Sequence, residues 1–158
     1  MGDRTYVILQ VLRDHEDAVG DIIEKSGWKA DEGYPQPADP HRFYLFGFED
    51  VNYGELGFLP DLEEKGIPYD SSWASGDEYG EGTRSCRFDS EGNKIVKELY
   101  DADAGIPLFK LMELLHDFTA LATAIREKRD ALYVLPWDEQ IHNGKLFLTH
   151  QLINPTQE

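Results

Sequence analysis

The sequence predicts an α+β fold: one acidic domain over residues 1–158, with a mixed sheet built from an N-terminal β-α-β unit and an antiparallel meander, packed on helices. Three observations carry this. The run Arg4 to Leu12 is apolar on both alternating faces and rich in Val and Ile, as in a strand covered on both sides. Directly after it the apolar spacing changes to the helical period. Between Gly66 and Tyr100, three strand-like runs are separated by two clusters of glycine and acid. A ferredoxin-like arrangement is the favoured version of this class.

Taken in order, Asp14 is an N-cap residue type, and Ala18, Val19, Ile22, Ile23 and Ser26 follow on one helical side. Gly27 supplies a left-handed stop, with Trp28 placed to fold back on the last turn. The spacing predicts a helix over residues 14–26. Three prolines and a glycine make residues 29–41 a loop. Arg42 to Phe48 reads as an aromatic strand, parallel to the first through a right-handed crossover. Asn52 and Glu55 resemble a capping box. Pro60 cannot donate to Leu56, so either a kinked helix or a short turn followed by a helix starting at Pro60 is expected, with a stop at Gly66.

The meander strands are Tyr69 to Ser75, Thr83 to Phe88 and Lys94 to Tyr100. Trp73, Cys86 and Phe88 are expected at the core, with Arg84 and Arg87 among the few basic residues nearby. A wide apolar stripe from Leu108 to Ile125 predicts one long helix over Pro107 to Arg129. Leu132 to Leu135 reads as a short strand and Pro136 to Asp138 as a turn. The rest is ambiguous: Asn143-Gly144 between apolar runs marks a hairpin, with a strand over Lys145 to His150 favoured, yet Trp137, Ile141, Leu148 and Leu152 also fall near one helical face.

Composition bounds the function. The chain has 158 residues, 15 basic and 31 acidic, for a net charge of −16. The charge is uneven: −5 over residues 1–40, −9 over 41–105 and −2 over 106–158. Such an excess repels phosphates, so it disfavours direct binding to nucleic acid or an anionic membrane and favours basic partners or cations. A solubilising role or a salt-adapted source are the competing explanations. One cysteine, no apolar run of membrane-spanning length and no signal-peptide pattern lead to the expectation of a soluble, cytoplasmic protein.

On the first predicted helix, Asp14, Asp17, Asp21 and Glu24 share the side opposite the apolar stripe. Ten residues at the α-helical rise cover about 15 Å, the length of roughly four phosphates on one DNA strand. A solvated face usually mixes signs, whereas here Lys25 alone stands near. A second acidic group, Asp77, Glu78 and Glu81, lies in the glycine-rich stretch Gly76 to Gly82. These seven residues are the candidate partner-binding set. The expected function is a non-enzymatic acidic binding or inhibitor protein engaging a basic partner surface, as a nucleic-acid mimic or an antitoxin- or immunity-type protein.

The alternative is a small enzyme or a metal- or ligand-binding domain using loop 76–82, with Tyr79 or Trp73; a third reading is an oligomeric scaffold. Carboxylates on a glycine-rich turn can ligate calcium or magnesium, but the calcium-loop pattern of alternating acids with a fixed glycine is not met. The five histidines are scattered, Cys86 has no histidine near it in sequence, and neither a phosphate cradle nor a nucleophile elbow is present. No catalytic residue, metal ligand or cofactor is therefore assigned.

Overall fold

The computed structural model describes residues 3–31, 36–101 and 105–144. Strand β1 (Arg4–Leu12) is followed by one 3-10 turn (Arg13–His15) and helix α1 (Glu16–Lys25). Strand β2 (Phe43–Asn52) and helix α2 (Leu59–Glu64) come next, then β3 (Tyr69–Trp73), β4 (Gly82–Phe88) and β5 (Lys94–Tyr100). Helices α3 (Leu108–Leu114) and α4 (Phe118–Leu132) follow, and residues 137–144 form a further helical segment, α5.

The five strands make one sheet in the order β2-β1-β3-β4-β5, and every pair is antiparallel. The class is α+β as expected, but the sheet is not mixed and its order is that of a meander with β2 added beside β1. The expected right-handed crossover does not form. Leu12 pairs with Phe43, and Arg13 N–H donates to the Arg42 carbonyl at 2.9 Å, so β2 starts where β1 ends. A ten-residue helix covers about 15 Å, while nine strand residues cover about 30 Å. Helix α1 alone therefore covers about half the length of β1, and the rest of the connection belongs to the stretch between Lys25 and Phe43.

The interior strand β1, between β2 and β3, alternates. Val7, Leu9 and Val11 point to one face and are fully buried. Val19, Ile22 and Ile23 from α1, Leu59 and Leu62 from α2, and Phe48, Val51, Phe58, Tyr69 and Cys86 complete that core. A register shift opposite Thr5 and Val7 bulges β2 at Glu49 and Asp50, and Asp50 takes φ +56°. The bulge turns both Phe48 and Val51 inward and lets β2 run on past the acids. Gly27 closes α1 as expected: at φ +75° its N–H donates to Glu24 and that of Trp28 to Ile23. Trp28 then meets Phe48 and Phe58 edge-on, each at 6.0 Å.

Several local expectations shift. Asp14 is not the cap of α1, since His15 occupies that position and makes no side-chain cap. Asn52 and Glu55 form a turn, with Tyr53 and Gly54 at positive φ, rather than a capping box. Pro60 is the second residue of α2, not the first. The expected single helix over 107–129 breaks at residues 115–117, where the Asp117 carboxylate caps α4 by accepting from Ala120 N–H at 2.9 Å. Residues 133–136 belong to no strand, and 137–144 are helical, which replaces the turn at Pro136 to Asp138 and agrees with the helical alternative marked by Trp137 and Ile141. The expected strand over Lys145 to His150 lies outside the described residues.

The second sheet face carries Ile8, Gln10, Leu45, Asp70, Ser72, Thr83, Ser85, Arg87 and Leu99, with Val134 to Trp137 crossing it over a cavity of about 600 Å³. Arg87 fastens that crossing. Its Nη2 donates to both Asp70 carboxylate oxygens at 2.8 Å, its Nε donates to the Leu135 carbonyl at 3.0 Å, and the guanidinium lies 3.8 Å over the Trp137 ring. Lys97 caps the end of α4 by donating to the carbonyls of Asp130, Ala131 and Tyr133.

Candidate functional site

Asp14, Asp17, Asp21 and Glu24 are all exposed. Burial of Val19, Ile22 and Ile23 fixes the rotation of α1 and turns Asp17, Asp21 and Glu24 outward. Asp14 lies one turn earlier in the 3-10 segment, so the stripe is not one continuous α-helical row. Among the described residues the group has one ion-pair contact, Asp21 to Lys25 at 3.9 Å between two exposed side chains. Such a pair adds little stability. Nearby His15 is held below its ordinary value by burial, which outweighs the opposing pull of Asp14.

Asp77, Glu78 and Glu81 are also exposed and make no ion pair among the described residues. Their loop is pinned by its backbone. Glu78 N–H donates to Asp3 Oδ2 at 2.8 Å, Gly76 N–H to the Tyr79 carbonyl at 3.0 Å, and Trp73 Nε1 to the Gly80 carbonyl at 3.1 Å. Asp3 precedes β1 and Asp14 follows it, so a strand of about 30 Å separates the two groups. The seven candidate residues therefore form two acidic patches at opposite ends of β1.

The basic residues nearest the core are committed elsewhere. Arg84 of β4 lies opposite Glu98 of β5 and reaches it at 3.0 Å, and it reaches Glu63 of α2 at 2.8 Å. Lys94 Nζ meets the other Glu63 oxygen at 2.8 Å, and the Tyr69 hydroxyl donates to Glu63 at 2.8 Å. Burial alone would raise the Glu63 carboxyl; the hydrogen bonds from Arg84, Lys94 and Tyr69 overcome it and bring the group down to about 2. Burial and the bond to Glu63 push the Tyr69 hydroxyl well up. Arg84 loses some basicity to burial but gains more from Glu63 and Tyr69, so it stays firmly charged. This network was not legible beforehand, because it depends on strand register and on where α2 lands.

Burial first, then the Glu63 charge, pushes the Cys86 thiol up to about 12. Such a thiol is a packing group rather than a nucleophile. Among the described residues no cluster of three or more His, Cys, Asp or Glu side chains is arranged to hold a metal ion. A cavity of about 330 Å³ opens between loop 53–60 and the β3–β5 end of the core-side face. Tyr53, Trp73 and Tyr100 wall it, with Glu55, Arg84 and Glu98 at its polar side. Ser71, 1% exposed, places a hydroxyl there with no hydrogen-bond partner among the described residues. Asp77, Glu78 and Glu81 do not line this cavity. Comparison with family models, with curated proteins and with solved structures finds no match to this chain.

Proposed function

We propose that the protein is a non-enzymatic acidic binding or inhibitor protein that occupies a basic surface on a partner protein. A nucleic-acid mimic or an antitoxin- or immunity-type protein is the form this takes, working in the cytoplasm. One observation carries the reading. Arg84, Arg87 and Lys94 neutralise the carboxylates of Glu63, Glu98 and Asp70, whereas Asp14, Asp17 and Glu24 face solvent without an ion pair among the described residues. Potential left uncompensated in this way speeds encounter with a positive surface and selects against negative ones.

The test replaces Asp14, Asp17 and Asp21 with Asn and Glu24 with Gln. At about 0.5 kcal/mol for each exposed charge pair, four substitutions cost about 2 kcal/mol, roughly 30-fold in affinity for a basic protein captured at low salt. The wild-type complex is expected to dissociate as salt rises. Equal retention by the variant rejects the proposal.

A second reading, a ligand-binding domain, is supported by the unpartnered Ser71 hydroxyl in the aromatic-walled cavity. It rests on that cavity rather than on the Gly76 to Gly82 loop. A thermal-shift screen with metals, nucleotides and small amines separates the two readings, because a ligand of the folded state raises the melting temperature by mass action.

A further inference from the structure

Helices α3 and α4 present an anomaly that the acidic patches do not explain. Neither contains a buried residue. Leu108, Phe109, Met112, Leu115, Phe118 and Ile125 are between 51% and 82% exposed. Leu108, Phe109, Met112 and Leu115 fall within roughly a third of a turn of α3 at 100° per residue. On α4, Phe118 and Ile125 are seven residues apart and share a side with half-buried Leu121 and Ala122. The half-buried Leu111 and Leu114 lie on another side of α3. Exposed apolar sides on two connected, touching helices are what an interface looks like before its partner arrives.

We propose that this helical hairpin is a self-association surface, and that its occupant is the α3–α4 hairpin of a second copy of this chain. Two arguments select a second copy. The first is area. Aromatic side chains carry about 200 Å² and aliphatic ones less, so these six at this exposure offer on the order of 600 Å², the lower end of what each partner contributes to a specific, stable interface. The second is charge. Lys110, Arg126, Lys128 and Arg129 balance Glu113, Asp117, Glu127 and Asp130, so residues 105–133 carry no net charge while the rest of the chain holds the whole −16. Two molecules of net −16 repel one another least where neither brings net charge to the contact. A basic partner gains nothing from approaching this neutral surface. Two helices from each copy then pack as a four-helix bundle about a two-fold axis.

The salt dependence distinguishes this contact from binding to a basic protein. Screening weakens repulsion between two acidic bodies, so self-association strengthens as salt rises, whereas capture of a basic partner weakens. The experiment is light scattering coupled to size exclusion on the full chain, over a concentration series at low and high sodium chloride. The expected result is a mass of twice the 18.1 kDa chain, with the dimer favoured by salt. Met112→Glu with Phe118→Glu is expected to return the monomer mass. Because neither side chain is buried, the variant should keep its circular dichroism and melting transition; Leu108→Gln with Phe109→Gln gives a milder version of the same loss. A monomer at every concentration and salt overturns the proposal, and then the chain's own remaining segments or another protein cover the face. A dimer unchanged by both variants overturns it equally.

Discussion

Glu63 shows how much one carboxylate does in this fold. It sits 7% exposed on α2 with three donors around it. Its folded value of about 2 lies below its ordinary 4.5. A depressed acid stabilises the fold at pH above its unfolded value and loses that contribution as pH falls through the folded one. The window is therefore pH 4.5 down to about 2, and the contribution at stake is about 3 kcal/mol. Urea unfolding at several pH values reads this as the difference between wild type and Glu63→Gln. The variant is expected to be weaker by about 3 kcal/mol at neutral pH and to converge on wild type toward pH 2. A difference that stays constant with pH contradicts the ionic account.

Among the elements, β3 and β4 depend on one close approach. Trp73 pairs with Gly82, and the indole lies so near that a Cβ on Gly82 would stand 2.6 Å from the ring and 2.8 Å from the Leu99 carbonyl oxygen. Gly82→Ala must displace Trp73 or backbone, at a cost of about 1–3 kcal/mol. Gly80→Ala is the control, because nothing lies within 4 Å of its Cβ. Denaturant midpoints with near-ultraviolet dichroism of the indole check both, and equal effects at the two positions refute the packing argument.

Local pattern made most elements legible: the Val- and Ile-rich apolar run of β1, the Gly27 and Gly66 stops and the three meander strands are stated by residue type alone. The direction of β2 was not, because it depends on where a thirteen-residue loop delivers the chain. Nor was the break at residues 115–117, since the apolar stripe continues through it and only the Asp117 cap marks it. The exposure of the four acids on and before α1 follows from helical phase, whereas their separation from the 77–81 loop follows from register, which no spacing reports. The cavity floored by Ser71 is likewise a product of register, because Ser71 lies beside Leu9 on one side and Arg84 on the other.

At the scale of the whole molecule, the charge acts on folding as well as on partners. A net −16 repels itself, and that repulsion disfavours the folded state. Salt screens exposed charges over roughly 8–10 Å at physiological strength but reaches buried pairs much less. The pairs that hold the fold, Glu63 with Arg84 and Asp70 with Arg87, are partly or wholly withdrawn from solvent. The repulsive charges on α1 and in loop 77–81 are exposed. Added sodium chloride should therefore remove more repulsion than attraction, and the melting temperature should rise. A gain of about 1 kcal/mol corresponds to roughly 2–4 °C for a chain of this size. The same titration on the Asp14, Asp17, Asp21 and Glu24 neutral variant should start from a higher melting temperature and climb less steeply. It should be run at low protein concentration, so that self-association through α3 and α4 does not add its own salt-dependent gain. A melting temperature that falls with salt in the wild type would mean that exposed ion pairs outweigh the repulsion, and the potential invoked for partner binding would then be largely neutralised within the chain.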